Sequence, residues 1–148
     1  MGKVVEIGIS QNFKGQIQSV NSVEALAGQG ITNDRHCKKN NDVKCQITLI
    51  ELENINHYNK LYKTDISPIN FRRNIITKGV KLNDLLGKEF FVGDVKLKGH
   101  DLCRPCKPLQ DGLKQKNLIK EFLQKGGLRC EILTSGKIFL GSLIKIKM

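Results

Sequence analysis

Cysteine thiolates attack electrophiles and bind soft metals, and two cysteines stand three positions apart in Asp101-Leu-Cys-Arg-Pro-Cys-Lys-Pro108. Arg104 lies between them and Lys107 follows, and cations so close favour thiolate over thiol. Pro105 fixes its own φ and biases Arg104 toward extended geometry, which stiffens the loop. The stretch is a candidate reactive or metal-ligating centre. A zinc site would need a second matching pair; His100, Cys103 and Cys106 supply three donors, while Cys37 and His36 stand at no regular spacing from them. A thioredoxin-like dithiol needs a helix N-terminus in a βαβ frame, and a preceding hairpin with no βαβ alternation argues against one.

Other residues could bind an anion. Arginine is scarce among the 25 basic residues: Arg35, Arg72, Arg73, Arg104 and Arg129 are the five. Its planar fork holds carboxylate or phosphate bidentately, so arginine at a few places in a lysine-rich chain suggests such a need. Gly28-Gln-Gly-Ile-Thr-Asn-Asp-Arg-His36 is a glycine-bearing loop, but it has neither dinucleotide spacing nor a Lys-Ser/Thr ending. In Asn70-Phe-Arg-Arg-Asn-Ile-Ile-Thr77, strand alternation would put Arg72 and Asn74 on one face and Arg73 on the other. Cys45 and Cys130 lie in apolar β runs and read as small core residues. Cys37 reads as exposed, His57 as a surface residue on a helix, and His100 as a structural turn histidine.

The elements that position these groups are short. Lys3–Ser10 alternates, with Val5, Ile7 and Ile9 to one side, and reads as a strand; Ser19–Leu26 is its expected partner after a turn at Asn12–Gly15. A mobile polar loop at Cys37–Lys44 precedes a β run at Gln46–Ile50 and a helix over Glu51–Tyr62 with Leu52, Ile55 and Tyr58 or Asn59 along one face. Gly79–Leu86 reads as a tight connection. Lys88–Val92 and Val95–Lys98 read as a hairpin about Gly93-Asp94. Gln115–Lys125 reads as an amphipathic helix with Leu118, Ile119, Phe122 and Leu123 inward, stopped by Gly126-Gly127. Leu128–Thr134, Lys137–Leu140 and Leu143–Lys147 read as three closing strands. The expectation is a mainly β fold: a closed or nearly closed barrel of about eight strands with two short flanking helices, as a single domain over 1–148.

Composition narrows the classes. The chain has 148 residues and a formal net charge of +11, which attracts polyanions in general. Aromatic residues are 5% and tryptophan is absent, leaving little base-stacking material, so specific nucleic-acid binding is not expected; a basic nucleic-acid-binding barrel is the alternative from outside enzymology. No apolar run approaches the roughly 20 residues of a membrane helix, and no secretory signal opens the chain. Five cysteines without an export signal suit a reducing cytoplasm.

Six pieces in order carry a resemblance. They are Gly30-Ile-Thr-Asn-Asp-Arg-His36, Gln46-Ile-Thr-Leu-Ile50, Phe71-Arg-Arg-Asn-Ile-Ile-Thr77 with Gly79, Leu85-Leu-Gly-Lys-Glu-Phe90 with Gly93, Cys103-Arg-Pro-Cys106, and Gly126-Gly-Leu-Arg-Cys-Glu-Ile-Leu133 with Gly136 and Gly141. From about Val4 to Ile146 the chain resembles the MOSC domain family, the molybdenum-cofactor-sulfurase C-terminal domain family. The resemblance implies a β barrel with one essential cysteine in a pocket for the molybdenum cofactor (molybdopterin). Cys106 matches the thiolate that ligates the metal or carries sulfur. Arg72 and Asn74 match an Arg-x-Asn stretch resembling a pterin-phosphate contact, Arg35 and His36 match the glycine-loop signature, and Thr48 and the backbone at Arg104 are further carry-overs. The implied partners are an electron-donor redox protein or a recipient molybdoenzyme. The implied activities are reduction of N-hydroxylated compounds or non-catalytic delivery of sulfur or cofactor. A homodimer or a partner is the expected means of completing a substrate pocket that larger members complete with an additional barrel.

Overall fold

A computed structural model describes residues 2–12 and 15–146. The first strand, β1 (Gly2–Ile9), is followed by β2 (Gln18–Ser19), β3 (Ser22–Leu26), β4 (Gly30–Ile31) and β5 (Ile47–Glu51). Helix α1 (Leu52–Tyr62) and a 3-10 turn (Pro68–Phe71) lead to β6 (Ile75–Lys78). A second 3-10 turn (Leu82–Leu85) precedes β7 (Glu89–Val92) and β8 (Val95–Leu102). The chain ends through α2 (Lys107–Gly112), α3 (Leu118–Glu121), β9 (Leu128–Ile132), β10 (Gly136–Phe139) and β11 (Leu143–Lys145). Residues Phe13 and Lys14 of the expected turn, and Lys147 of the expected last strand, lie outside the described residues.

Seven strands close a barrel in the order β11-β7-β8-β9-β5-β6-β1, with β1 returning to β11 through Gly2↔Ile144 and Lys3↔Leu143. β2 is an extra strand on β1, and β10-β3-β4 form a small second sheet. The expected barrel is therefore present. Closure matters physically, because it removes the unpaired edges of an open sheet.

The interior is filled by Val4, Ile7, Leu49, Ile75, Phe90, Val92, Leu97, Leu128 and Ile132, among others. The expected inward row of Val5, Ile7 and Ile9 is corrected at its first member. The β1–β6 register shifts between Val4 and Glu6, so Val4 and Ile7 both point in while Val5 joins the outer cluster. A bulge switches the side-chain parity of a strand.

β5 and β6 run parallel, joined by α1, which makes one βαβ crossover. This corrects the expectation of no such unit. Their sequences already carry the mark of two buried faces: Leu49 and Ile75 face the barrel, while Ile50 and Ile76 face a second cluster with Ile55, Tyr58, Phe71, Leu118 and Phe122. Burying side chains of this size stabilises the fold by about 1.5–3 kcal/mol each. Tyr58 and Phe71 each pack against the Phe122 ring, at 5.5 and 5.0 Å between centroids.

The expected helix at Gln115–Lys125 is also corrected. Two short helices, α2 and α3, occupy Lys107–Gly112 and Leu118–Glu121. Leu118 and Phe122 face inward as expected, but Leu123 is 60% exposed. The helix ends at Glu121, ahead of the glycine pair, with Phe122 (φ −100°) as its cap, and Gln124 is left-handed at φ 63° in the turn that follows. Gly126 and Gly127 serve close packing instead. A Cβ on Gly127, at φ +112°, would collide with the Leu49 carbonyl, and one on Gly126 would meet the Cys103 carbonyl.

Candidate functional site

Against the outer side of the sheet, where Thr48 and Arg129 alternate with the interior residues Ile47, Leu49, Leu128 and Cys130, the Asp34–His36 loop, the Arg72–Asn74 segment, the Cys106 loop and α2 surround a hollow of about 630 Å³. That volume is in the range of small-molecule sites. Its lining includes Ser10, Asp34, Arg35, His36, Cys45, Thr48, Arg72, Arg73, Asn74, Cys106 and Arg129, with apolar surface from Ile17, Pro108 and Leu109. Arg35, His36, Thr48, Arg72, Asn74 and Cys106 were all anticipated from the sequence and meet here. Arg104, the other anticipated residue, is exposed and does not line the hollow.

The glycine loop is organised from inside by Asp34. Its carboxylate accepts hydrogen bonds from the Ser10 N–H (3.0 Å) and the His36 N–H (3.3 Å), and pairs with His36 Nδ1 at 3.3 Å. Burial pushes this carboxyl up, but the His36 side chain and the two backbone donors outweigh it, so its pKa is lowered. The Arg35 N–H donates to the Ser10 carbonyl at 2.7 Å, which sets Arg35 at the rim. The Cys37–Lys44 stretch, expected as a mobile loop, is tied down. Buried Asn41 donates through Nδ2 to the carbonyls of Gln29 (2.8 Å), His36 (2.6 Å) and Cys45 (3.3 Å), and Gln46 Nε2 donates to the Asn41 carbonyl at 3.1 Å.

The arginine pair departs from strand alternation. Arg72 closes the 3-10 turn in the left-handed region at φ 64°, so the strand begins only at Ile75 and both Arg72 and Arg73 face the hollow. Arg72 donates to the Gly15 carbonyl (3.0 Å) and the Ser10 hydroxyl (3.3 Å), and Arg73 to the carbonyls of Gly126 (3.0 Å) and Phe71 (3.4 Å). Arg129 donates to the Lys44 carbonyl at 3.2 Å. A guanidinium has five donors, so bonds of this kind orient the fork without using all of it. Asn74 and Thr48 are committed mainly to each other.

The two cysteines of the loop part company. Cys103 is 1% exposed, and burial pushes its thiol up despite the opposing charges of Arg73 and Arg129. This corrects the expectation that basic surroundings would ease ionisation of both. Cys106 is exposed and lines the hollow. Its extended backbone (φ −123°, ψ 157°) stands just ahead of α2, and its carbonyl accepts from the Gln110 N–H at 3.1 Å. Cys130 is in the core as expected, with burial holding its thiol well up. Cys45, expected in the core, is instead exposed and faces the hollow. Among the described residues no cluster of three or more histidine, cysteine or acidic residues could hold a metal, and His100 is engaged at 2.7 Å with Glu131.

Sequence reasoning counted Arg73 and Arg129 among the scarce arginines without placing them at this hollow, and it read Cys45 as a core residue. For Arg73 the available signal was Ser67-Pro68, which starts the turn that abolishes alternation; for Cys45 it was the run Asn40–Lys44, too polar to continue a strand. Chemically, the arrangement offers two accessible thiols, Cys45 and Cys106, in one hollow with several oriented guanidiniums, which suits an anion that also carries a soft or electrophilic centre.

The MOSC domain family profile matches residues 33–145. Among solved structures, the chain is similar to the YUAD protein from Bacillus subtilis, with a TM-score of 0.79 and 18% identity over 97% of this chain and 94% of that one. It is also similar to YiiM from Geobacillus stearothermophilus (TM-score 0.76, 18% identity, 98% of this chain and 74% of that one) and to YiiM from Escherichia coli (TM-score 0.74, 14% identity, 98% and 69%). Comparison with curated protein sequences gives no significant match. No helix among the described residues is long and apolar enough to cross a membrane.

Proposed function

The chain belongs to the MOSC domain family, and from that premise we propose that it binds a molybdenum-bearing pterin in the hollow, with the Cys106 thiolate as metal ligand. One observation carries this reading: the exposed thiol of Cys106 and the forks of Arg35, Arg72, Arg73 and Arg129 line the same hollow. The donor set suits the group. Soft thiolate matches the metal, arginine matches an anionic phosphate tail, and Ile17, Pro108 and Leu109 offer apolar surface to a flat ring. When bound, such a cofactor would supply two-electron reductive chemistry toward N-hydroxylated compounds, with electrons from a separate redox protein.

This chain's own residues do the rest. Asp34 fixes the backbone at Ser10 and His36, so Arg35 is set at the rim in advance of any ligand. Arg72 and Arg73 are braced by carbonyls, which lowers the ordering cost of gripping a phosphate. Work as a single domain in the cytoplasm, alone or as a homodimer, is part of the same proposal.

A second reading, in which Cys106 carries sulfur to a molybdoenzyme, is favoured by one feature: the thiol is exposed rather than sealed beneath a lid. Metal and pterin analysis of protein purified from a molybdenum-replete host tests the first reading. Reduction of an amidoxime by the loaded protein with an electron donor would support enzyme over carrier, and loaded protein that reduces none would support the carrier.

A further inference from the structure

Two of the five cysteines, Cys45 and Cys106, are exposed, and both face the hollow. They reach it from different parts of the chain, but both segments are tied to the β8–β9 pair. Lys44, beside Cys45, pairs through Nζ with Asp101 Oδ2 of β8 at 3.5 Å, and the Lys44 carbonyl accepts from Arg129 of β9 at 3.2 Å. Asp101 and Arg129 are themselves register partners. The Cys106 loop leaves β8 directly after this point, and the Cys103 N–H donates to the carbonyl of Gly127, the residue just ahead of β9, at 2.7 Å. Cys45 is fixed on both sides of its own α-carbon. Its N–H donates to the Asp42 carbonyl at 3.0 Å, and its carbonyl accepts from Asn41 Nδ2 at 3.3 Å.

We propose that Cys45 is the resolving thiol of the site, paired with Cys106 in a dithiol–disulfide couple that releases sulfur carried on Cys106. The inference rests on the sulfur-carrier reading of Cys106. The Cys106 thiolate first attacks the terminal sulfur of an external polysulfide: the Cys106 Sγ–S bond forms, the polysulfide's terminal S–S bond breaks, and the shortened polysulfide leaves with that electron pair, so that Cys106 holds Cys–S–SH. The Cys45 sulfur then attacks the Cys106 Sγ. The new bond is Cys45 Sγ–Cys106 Sγ; the bond that breaks joins Cys106 Sγ to the outer sulfur, which departs with the electron pair as hydrosulfide and takes up the Cys45 proton. The outer sulfur is thereby reduced to sulfide and the two cysteines are oxidised to a disulfide, which an external dithiol returns to the starting state.

The test treats the full chain with sodium tetrasulfide, removes the excess by desalting, and follows released sulfide together with the mass of cysteine-bearing peptides. Wild type is expected to release about one sulfide per chain without added reductant and to yield a Cys45–Cys106 cross-linked peptide. Cys45→Ser, checked for its fold by circular dichroism, is expected to retain the outer sulfur on Cys106 until dithiothreitol is added. Equal spontaneous release from wild type and Cys45→Ser, or a wild-type disulfide lacking Cys45, would overturn the proposal while leaving Cys106 as a carrier. Failure of Cys106 to take up sulfur in either protein would overturn both the proposal and the carrier reading. Molybdenum and pterin content of the same preparations reports on the cofactor reading separately.

Discussion

Asn74 and Thr48 hold each other by three hydrogen bonds at the wall of the hollow. The Thr48 N–H and hydroxyl both reach Asn74 Oδ1, at 3.1 and 3.2 Å, and the Asn74 N–H donates to Thr48 Oγ1 at 3.1 Å. Asn74 Nδ2 then donates to the Gly8 carbonyl at 3.1 Å, so one amide joins β5, the approach to β6, and β1. Both residues line the site, yet these bonds give them a bracing role. Asn74→Ala is therefore expected to lower stability by about 2–4 kcal/mol, since it strands buried partners, and Thr48→Val by about 1–2 kcal/mol. Denaturant unfolding of the two variants checks this. An Asn74→Ala protein as stable as wild type would show the bracing to be unimportant.

Thiol labelling should sort the five cysteines. Cys45 and Cys106 are exposed, Cys37 is half-buried, and Cys103 and Cys130 are buried. Burial, with the charge of Asp34, raises the Cys37 thiol; burial raises those of Cys103 and Cys130. A raised thiol pKa leaves less thiolate near neutral pH. Iodoacetamide at pH 8, read by peptide mass, is expected to modify Cys45 and Cys106 first, Cys37 next, and Cys103 and Cys130 only after unfolding. Rapid modification of Cys103 in the native protein would contradict the structure.

Acid should unfasten the glycine loop through Asp34. Against the upward push of burial, its hydrogen bonds to His36 and to the backbone hold its folded-state pKa below the ordinary aspartate value, so its ionised form favours the fold. The stability it contributes is present above the unfolded pKa and is lost as pH falls through the folded one. Wild type should exceed Asp34→Asn by about 1–2 kcal/mol at pH 7, and the gap should narrow below about pH 4. A gap that widens on acidification would reverse the sign of this contribution.

Gly127 sets how closely the thiol loop can approach the barrel. Its φ of +112° and the Leu49 carbonyl leave no room for a Cβ. Gly127→Ala should cost at least about 3 kcal/mol, read as a lowered unfolding midpoint. Gly112→Ala, where a Cβ meets open space, is the control and should change little.

The barrel, the Gly93-Asp94 hairpin and helix α1 were legible in the sequence because periodicity and turn chemistry agree there. Part of the candidate hollow's lining was legible too, as Arg35, His36, Thr48, Arg72, Asn74 and Cys106. What was not legible depends on backbone irregularity or distant contacts. The bulge at Val4/Glu6 turned Val5 outward, and the left-handed Arg72 brought Arg73 to the hollow. Cys45 is held out of the core by the Asn41 side chain on its own carbonyl and by Arg129 on the carbonyl of Lys44, contacts that strand periodicity does not encode. Arg104, though beside both cysteines in sequence, is exposed outside the hollow because Cys103 turns inward.

The most direct test is molybdenum and pterin content of wild type and Cys106→Ser purified side by side from a molybdenum-replete host. Wild type is expected to carry both, in about equal amounts, with Cys106→Ser losing most of its molybdenum. A Cys106→Ser protein that keeps the full wild-type complement, or a wild type that holds neither metal nor pterin, would contradict the assignment of this thiol and its arginine-lined hollow.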